Sequence, residues 1–464
     1  MQIPFFYKPS FNQKGMEQDL AKPSLGYRIA YHWIDYAFNN LYYQKVYRLH
    51  TENLPPVGTP TICISNHQNS LCDSISELTT FDMRFLHFIC RADVFKKKNI
   101  GKLLYAIGLI PIYRVRDGVG KIKDNLQMFS QVEKYVAAGN TLVIYPEATH
   151  MDGNWLGQFY LSYTRIGFEA AESTGFEKEV FIFPIALYYH DFKQLRTEMV
   201  VDCGEPVSLM PYYAKYKENP REAEKEANEY IRSKVKEKVL DVKDLDHYDT
   251  VMDFFSYVEE NEAQKRGLEK VNTVDEWEIR KHIESKLEEK MEREPALIER
   301  IYSHTTEFSK FLKKHRINNK AFENPFKKWA VCGQAILYAL LFPLFLAGMI
   351  PHILLYSIIP VVMKKVEDKL MHASIDLCIW VLDIPLFYLI YFIVLGVCAS
   401  WLTAVLVVLL LPLLGKFALW YHRNFQQDFQ CWRARLIRQY QPNLWKKLTD
   451  LRQKLDEDYE LLNA

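Results

Sequence analysis

The sequence has almost no net charge: 58 lysines and arginines stand against 57 aspartates and glutamates, a formal +1. A nucleic-acid partner would call for a basic excess on one domain, so that class is set aside. Metal or redox cysteine spacing is also missing. The eight cysteines, Cys63, Cys72, Cys90, Cys203, Cys332, Cys378, Cys398 and Cys431, include no Cys-x-x-Cys. They read as reduced, mostly buried thiols facing a reducing compartment, and no metal site is expected. The first 25 residues lack the apolar core of a secretory signal, so export of the catalytic part is not expected. Three catalytic signatures are absent as well. Without Gly-x-Ser-x-Gly, Ser65 and Ser70 lack the elbow of a hydrolase nucleophile. No His-Glu-x-x-His helix occurs, and Gly120-Lys121 has neither the earlier glycine nor the following Ser or Thr of a phosphate-binding loop.

What is present centres on Ile62-Cys63-Ile64-Ser65-Asn66-His67-Gln68-Asn69-Ser70-Leu71-Cys72-Asp73, a β-branched run ending in a polar elbow. A strand delivering His67 to a sheet edge, with Asp73 after it to orient the ring, suits general-base work on a hydroxyl. Taken alone, a histidine near a carboxylate is more often a satisfied polar pair. Cys72, beside apolar Leu71, reads as a packed thiol. Residues 61–65, 85–90, 109–114, 141–145, 180–189 and 199–202 read as strands by length and β-branched or aromatic content. Their near-continuous apolarity, with helical stretches between, predicts an α/β fold with a largely parallel sheet. In such sheets the ligand site lies beyond the carboxyl ends of the strands. His67, Arg114 and Glu147 each fall at or just past such an end. Ahead of them, 26–49 reads as a helix with Tyr27, Tyr31, Ile34, Phe38 and Leu41 on one face. That stripe fits core packing and a membrane interface equally well.

Four blocks occur in order between residues 60 and 206: Asn66-His67 through Asp73, Gly108-Leu109-Ile110-Pro111-Ile112-Tyr113-Arg114, Tyr145-Pro146-Glu147-Ala148-Thr149-His150, and Phe183-Pro184-Ile185-Ala186. Together they resemble the blocks of the PlsC-type glycerolipid acyltransferases, the lysophosphatidate and glycerol-3-phosphate acyltransferases. The resemblance implies a membrane-bound O-acyltransferase of phospholipid biosynthesis with no bound cofactor. It would move a fatty acyl group from acyl-CoA or acyl carrier protein to a hydroxyl of glycerol-3-phosphate or lysophosphatidate. His67 would be the base and Asp73 its partner. Arg114, Glu147, Thr149 and His150 would bind the acceptor, with Asn66, Arg91, Arg116 and Pro184 as further site residues. Arg114 and Arg116, two apart on a strand, leave on the same face, and a guanidinium fork suits a phosphate; for Arg116 a strand-end salt bridge is the favoured reading. Two departures stand out. Five residues separate His67 from Asp73 where the commonest pattern has four, as in a minority branch of glycerol-3-phosphate acyltransferases. Ala148 and His150 stand where the pattern has glycine and arginine, which removes a permanent cation.

Beyond the blocks, 211–325 turns to Lys, Glu and Arg with Glu–Lys pairs three or four apart, predicting charged helices. Residues 244–257 read as a less regular linker. Two apolar runs come next, 330–363 with Pro343, Pro351 and Pro360, and 375–415 with charge only at Asp376 and Asp383. Lys327 and Lys328, then Lys364, Lys365 and Lys369, then Lys416 and Arg423 flank them on three sides, which places all three flanks in the cytoplasm and makes each run a hairpin, the first of them re-entrant or monotopic; a single tilted span is the alternative for the first run, at the cost of breaking that charge pattern. Residues 425–462 read as a charged amphipathic helix or pair. The expected organisation is an N-terminal tail and interfacial helix (1–50), an acyltransferase α/β domain (51–210), a charged helical region (211–325), a membrane region (326–423) and a cytoplasmic C-terminal helix (424–464). Lipid bilayer, acyl donor and glycerol-phosphate or lysolipid acceptor are the expected partners, with the catalytic domain facing the cytoplasm. O-acylation of another hydroxylated lipid, such as an amino-acid lipid, and an inactive membrane scaffold are the alternatives.

Overall fold

A computed structural model describes residues 25–95, 101, 104, 107–112, 122–192, 194–325, 328–366 and 371–464. The helix expected over 26–49 is shorter than its periodicity implies. Helix α1 spans Leu25–Tyr36, continues as a wider π-turn over Ala37–Tyr42, and gives way to strand β1, Lys45–Leu49. Val46 and Tyr47 favour extended backbone, and pairing with residues 198–202 outweighs the helical pattern. One face of α1 buries Tyr27 and Tyr31, while Leu25 and Ile29 stay exposed. The helix therefore packs and also keeps an apolar edge.

The sheet is assembled from β2 (Thr61–Ser65), β3 (His87–Arg91), β4 (Leu109–Ile112), β5 (Thr141–Ile144), β6 (Phe181–Tyr189), β7 (Glu198–Cys203) and the short β8 (Val207–Ser208), with β1. Helices α2 (Leu71–Thr80), α3 (Ile122–Ala137) and α4 (Ser162–Glu172) connect them. The order is β1-β7-β6-β2-β5-β3-β4, with β8 on β6; every pairing is parallel except those of β7 and β8 with β6. All five residues of β2 are buried, as its unbroken apolar run requires of a strand covered on both faces. Ile62, Ile64, Leu142 and Ile182 pack in one core with Val132, Val136, Ile166 and Phe168 from the flanking helices. Two further helices come after the sheet, α5 (Tyr213–Glu218) and α6 (Pro220–Lys236), the latter capped by Asn219, whose side chain accepts the Glu222 N–H. Ala223, Ala227, Ile231 and Val235 of α6 join the same core. Hence the compact unit holding the sheet extends past the boundary expected at 210: it comprises Met1–Asp241 and Asp368–Leu377.

The second unit, Val242–Glu367 with Cys378–Ala464, is helical. The stretch expected as an irregular linker forms most of α7 (Tyr248–Lys265), which buries Val251, Phe254, Phe255 and Val258. Next come α8 (Thr273–Arg293), started by an Asn272–Asp275 capping box, then α9 (Pro295–His315) and α10 (Asn319–Glu323). The first apolar run is not a hairpin. It forms one helix, α11 (Lys328–Met363), with all three prolines inside it. The second run is a pair, α12 (His372–Cys398) and α13 (Trp401–Tyr440), with Ser400 capping α13 through the Thr403 N–H. Helix α13 runs on through the charged residues to Tyr440, and α14 (Pro442–Asn463) ends the chain's helices. Three of these helices, over Ala330–Leu354, His372–Cys398 and Trp401–Tyr440, are long and apolar enough to cross a membrane.

Both ends of the apolar stretch meet in this unit. The Asn318 amide donates to Gln427 at 2.7 Å, Arg433 donates to the Arg316 carbonyl at 3.1 Å, and Asp458 of α14 holds Arg300 at 2.8 Å and His304 at 2.7 Å on α9. The chain thus enters and leaves its apolar helices on one side.

Candidate active site

Strand β2 ends at Ser65, and the next residue extends its pairing by side chain. The buried Asn66 amide donates to the Leu187 carbonyl at 2.9 Å and accepts the Leu187 N–H at 2.8 Å, so it ties the departing chain to β6. His67 then reaches the carboxyl edge of the sheet with its side chain 14% exposed. Its Nδ1 lies 2.8 Å from Asp73 Oδ2, and Asp73 is fully buried. The same Oδ2 accepts the Gln68 N–H at 2.9 Å and the Asn69 N–H at 2.8 Å, while Oδ1 accepts the Tyr189 hydroxyl. The turn is wrapped around its own carboxylate. With Nδ1–H donating to Asp73, Nε2 is the nitrogen left to accept a proton.

The loop after β5, parallel neighbour of β2, closes on this pair. Tyr145 stacks on the His67 ring, centroids 3.8 Å apart and planes 10° from parallel. Its hydroxyl donates to Glu77 Oε2 at 2.9 Å and lies 2.8 Å from the Ser74 hydroxyl. Glu77 also accepts the Ser65 hydroxyl at 2.6 Å; burial pushes its carboxyl up to about 8, partly opposed by those hydroxyl donors. A buried carboxyl thus backs the aromatic ring on which His67 rests. Glu147 is 2% exposed, with Oε2 accepting the His67 N–H at 2.9 Å and Oε1 the Gly157 N–H at 2.7 Å. Burial raises its carboxyl to about 7, against the lowering effect of those amides. Through these two bonds Glu147 holds the backbone of His67 and of Gly157.

Ala148 has a φ of 55°. The left-handed backbone explains why the pattern has glycine there, and alanine pays about 1 kcal/mol for it. The turn nevertheless delivers His150 edge-on to His67, ring centroids 5.4 Å apart at 88°. Thr149 is exposed beside it. The structure thus brings Asn66, His67, Asp73, Glu147 and His150 together. Pro184 is not part of this group: it lies inside the sheet opposite Ile64, its carbonyl accepting the Gly204 N–H. Arg91 is exposed at the end of β3, two strands from β2. Arg114 and Arg116 lie outside the described residues, as does the end of the strand expected over 109–114. Tyr145, Tyr189 and Glu77 were not picked out from sequence. Glu77 carried a signal, since it lies one helical turn after Asp73 on the same face of α2. Tyr189, distant in sequence, carried none. Cys72 is fully buried, and among the described residues no group of His, Cys, Asp or Glu could hold a metal ion.

A partly exposed imidazole with one nitrogen fixed on a buried carboxylate is equipped to take a proton from a hydroxyl that approaches Nε2. Residues 46–188 match the protein family described as Acyltransferase. No curated protein sequence matches the chain. Among solved structures the chain is similar to the 1-acyl-sn-glycerophosphate (LPA) acyltransferase PlsC from Thermotoga maritima, at 17% identity and a TM-score of 0.30, over 47% of this chain and 82% of that one.

Proposed function

We propose that the chain, whose residues 46–188 match the Acyltransferase family, transfers a fatty acyl group from acyl-CoA or acyl carrier protein to a hydroxyl of glycerol-3-phosphate or lysophosphatidate, with His67 as general base. The observation that carries this is the 2.8 Å bond from His67 Nδ1 to a buried Asp73 on a ring still open to solvent. Nε2 takes the hydroxyl proton as the oxygen attacks the thioester carbonyl. Asp73 stabilises the imidazolium, which returns the proton to the leaving thiolate as the C–S bond breaks; the products are an ester and a free thiol. The donor is already activated, so no covalent acyl-enzyme is required, and no cofactor beyond the donor.

The apolar helices make the protein membrane-associated, which suits substrates whose chains bury about 0.8 kcal/mol per CH₂. Since the chain enters and leaves those helices on one side, the number of complete crossings is even. The α12–α13 pair supplies two, and the lysine flanks favour a cytoplasmic catalytic domain. In intact cells a membrane-impermeant thiol reagent is expected to label Ser400→Cys, at the turn between them, and to reach Asn463→Cys only after permeabilisation. Labelling of Asn463→Cys in intact cells contradicts this orientation.

One observation favours a second reading. His150, not arginine, meets His67, so a permanent cation is missing at that place, which favours a hydroxylated lipid without phosphate, such as an amino-acid lipid. Purified protein offered labelled donor and a panel of acceptors, with thiol release as readout, separates the two. Turnover with glycerol-3-phosphate or lysophosphatidate is expected. Turnover confined to phosphate-free acceptors selects the second reading, and none with any acceptor leaves an inactive scaffold.

A further inference from the structure

The turn from His67 to Asp73 contains Ser70, whose φ of 44° and ψ of −111° fall outside the ordinary backbone regions. Helix α2 starts directly after it and needs partners for its first amides. Ser70, at the capping position, supplies none; its hydroxyl lies 3.2 Å from Met371 Sδ. The cap comes instead from far along the chain. Ser374 Oγ accepts the Leu71 N–H at 2.8 Å and donates to the Asn69 carbonyl at 3.0 Å, so one hydroxyl bridges the backbone on both sides of Ser70. Ser374 is 2% exposed, and its neighbour Ala373 is held by the Tyr42 hydroxyl at 2.9 Å. The bridged segment is the one that matters for the base. Asn69, whose carbonyl Ser374 holds, gives its amide to Asp73 Oδ2, the oxygen that receives His67 Nδ1.

We propose that Ser374 is a positioning residue for the His67–Asp73 pair: by pinning the backbone around Ser70 it fixes the turn that encloses the Asp73 carboxylate, and with it the direction in which Asp73 holds the imidazole. The inference rests on the acyltransferase reading of this site. It also means that the catalytic unit is not complete at the end of the matched domain, residue 188, since residues 371–377 close it. The residue that does so lies in the first turn of α12, which runs on to Cys398 as one of the three apolar helices. The catalytic turn is thereby fastened to the start of a membrane segment.

The full-length protein in lipid nanodiscs provides the test. Ser374→Ala is expected to lower kcat by roughly tenfold to a hundredfold, because a small misalignment of the base is costly, with the donor KM changed by less than about twofold and the acid limb of the pH–rate profile displaced. Ser374→Thr, which keeps the hydroxyl, is expected to restore most of the loss. Independently of turnover, amide hydrogen exchange in a peptide covering 67–73 is expected to quicken about tenfold in Ser374→Ala while β5 and β6 exchange at the wild-type rate. An unchanged kcat, or unchanged exchange across 67–73, overturns the proposal. So does a loss accompanied by faster exchange throughout the sheet and not rescued by threonine. If the wild type turns over no acceptor, the functional reading fails, while the exchange measurement still decides whether Ser374 fixes the turn.

Discussion

Replacing His67 with alanine is expected to lower kcat by about 10²- to 10⁴-fold, the range general bases contribute. The donor KM should stay within about threefold of wild type, since the ring acts on the acceptor hydroxyl. The side chain hydrogen-bonds Asp73 and stacks on Tyr145. Its removal leaves the Asn66 ladder and the Glu147 clamp on the His67 backbone amide in place. A melting temperature within a few degrees of wild type is therefore expected alongside the lost rate. Steady-state kinetics with thiol release, beside a thermal melt of the same preparation, checks both parts. A variant that retains half or more of the wild-type kcat removes His67 from the chemistry.

The second large effect belongs to Glu147. Its two oxygens hold the N–H groups of His67 and Gly157, and the residue is almost wholly buried. Glu147→Ala leaves both amides without their partner, at about 1–3 kcal/mol each, so a loss of about 2–6 kcal/mol from the catalytic unit is expected. Activity should fall with it, because the His67 backbone loses its anchor. Glu147→Gln tests the charge separately. The folded carboxyl titrates near 7, above its ordinary value of 4.5, so between those limits the folded protein binds the extra proton. Stability from this group is accordingly greatest below pH 4.5 and falls as the pH rises toward 7. Wild type should lose stability relative to Glu147→Gln between pH 5 and pH 7.5; Glu77 is present in both proteins and cancels in the difference. Melting curves of the two at those pH values that run parallel contradict the raised carboxyl.

Much of the sheet was legible in the chain because its central strands are short apolar runs with little alternative: 61–65 and 141–145 coincide with β2 and β5 to within a residue. Strand β1 was hidden because Val46, Tyr47 and Leu49 prolong a helical pattern that pairing with β7 overrides. The first apolar run read as a hairpin because lysines flank it on both sides, yet α11 is one helix with all three prolines inside it. At the site, His67 and Asp73 were legible because they are near in sequence and chemically matched. The bonds from Glu147 to the His67 and Gly157 amides were not, since a string does not show which backbone groups a carboxylate meets. Tyr189 and Ser374 lie 116 and 305 residues from Asp73 and Asn69. Only the fold brings them there.

Direct transfer through His67 is tested most directly by mixing purified protein with a donor labelled in its acyl chain and separating protein from lipid after quenching, first without and then with acceptor. The expected result is no label on the protein in either case, label in the ester product once acceptor is added, and about 10²- to 10⁴-fold slower product formation in His67→Ala. Label bound covalently to the protein before any acceptor is present, or product formed at the wild-type rate without the imidazole, contradicts it.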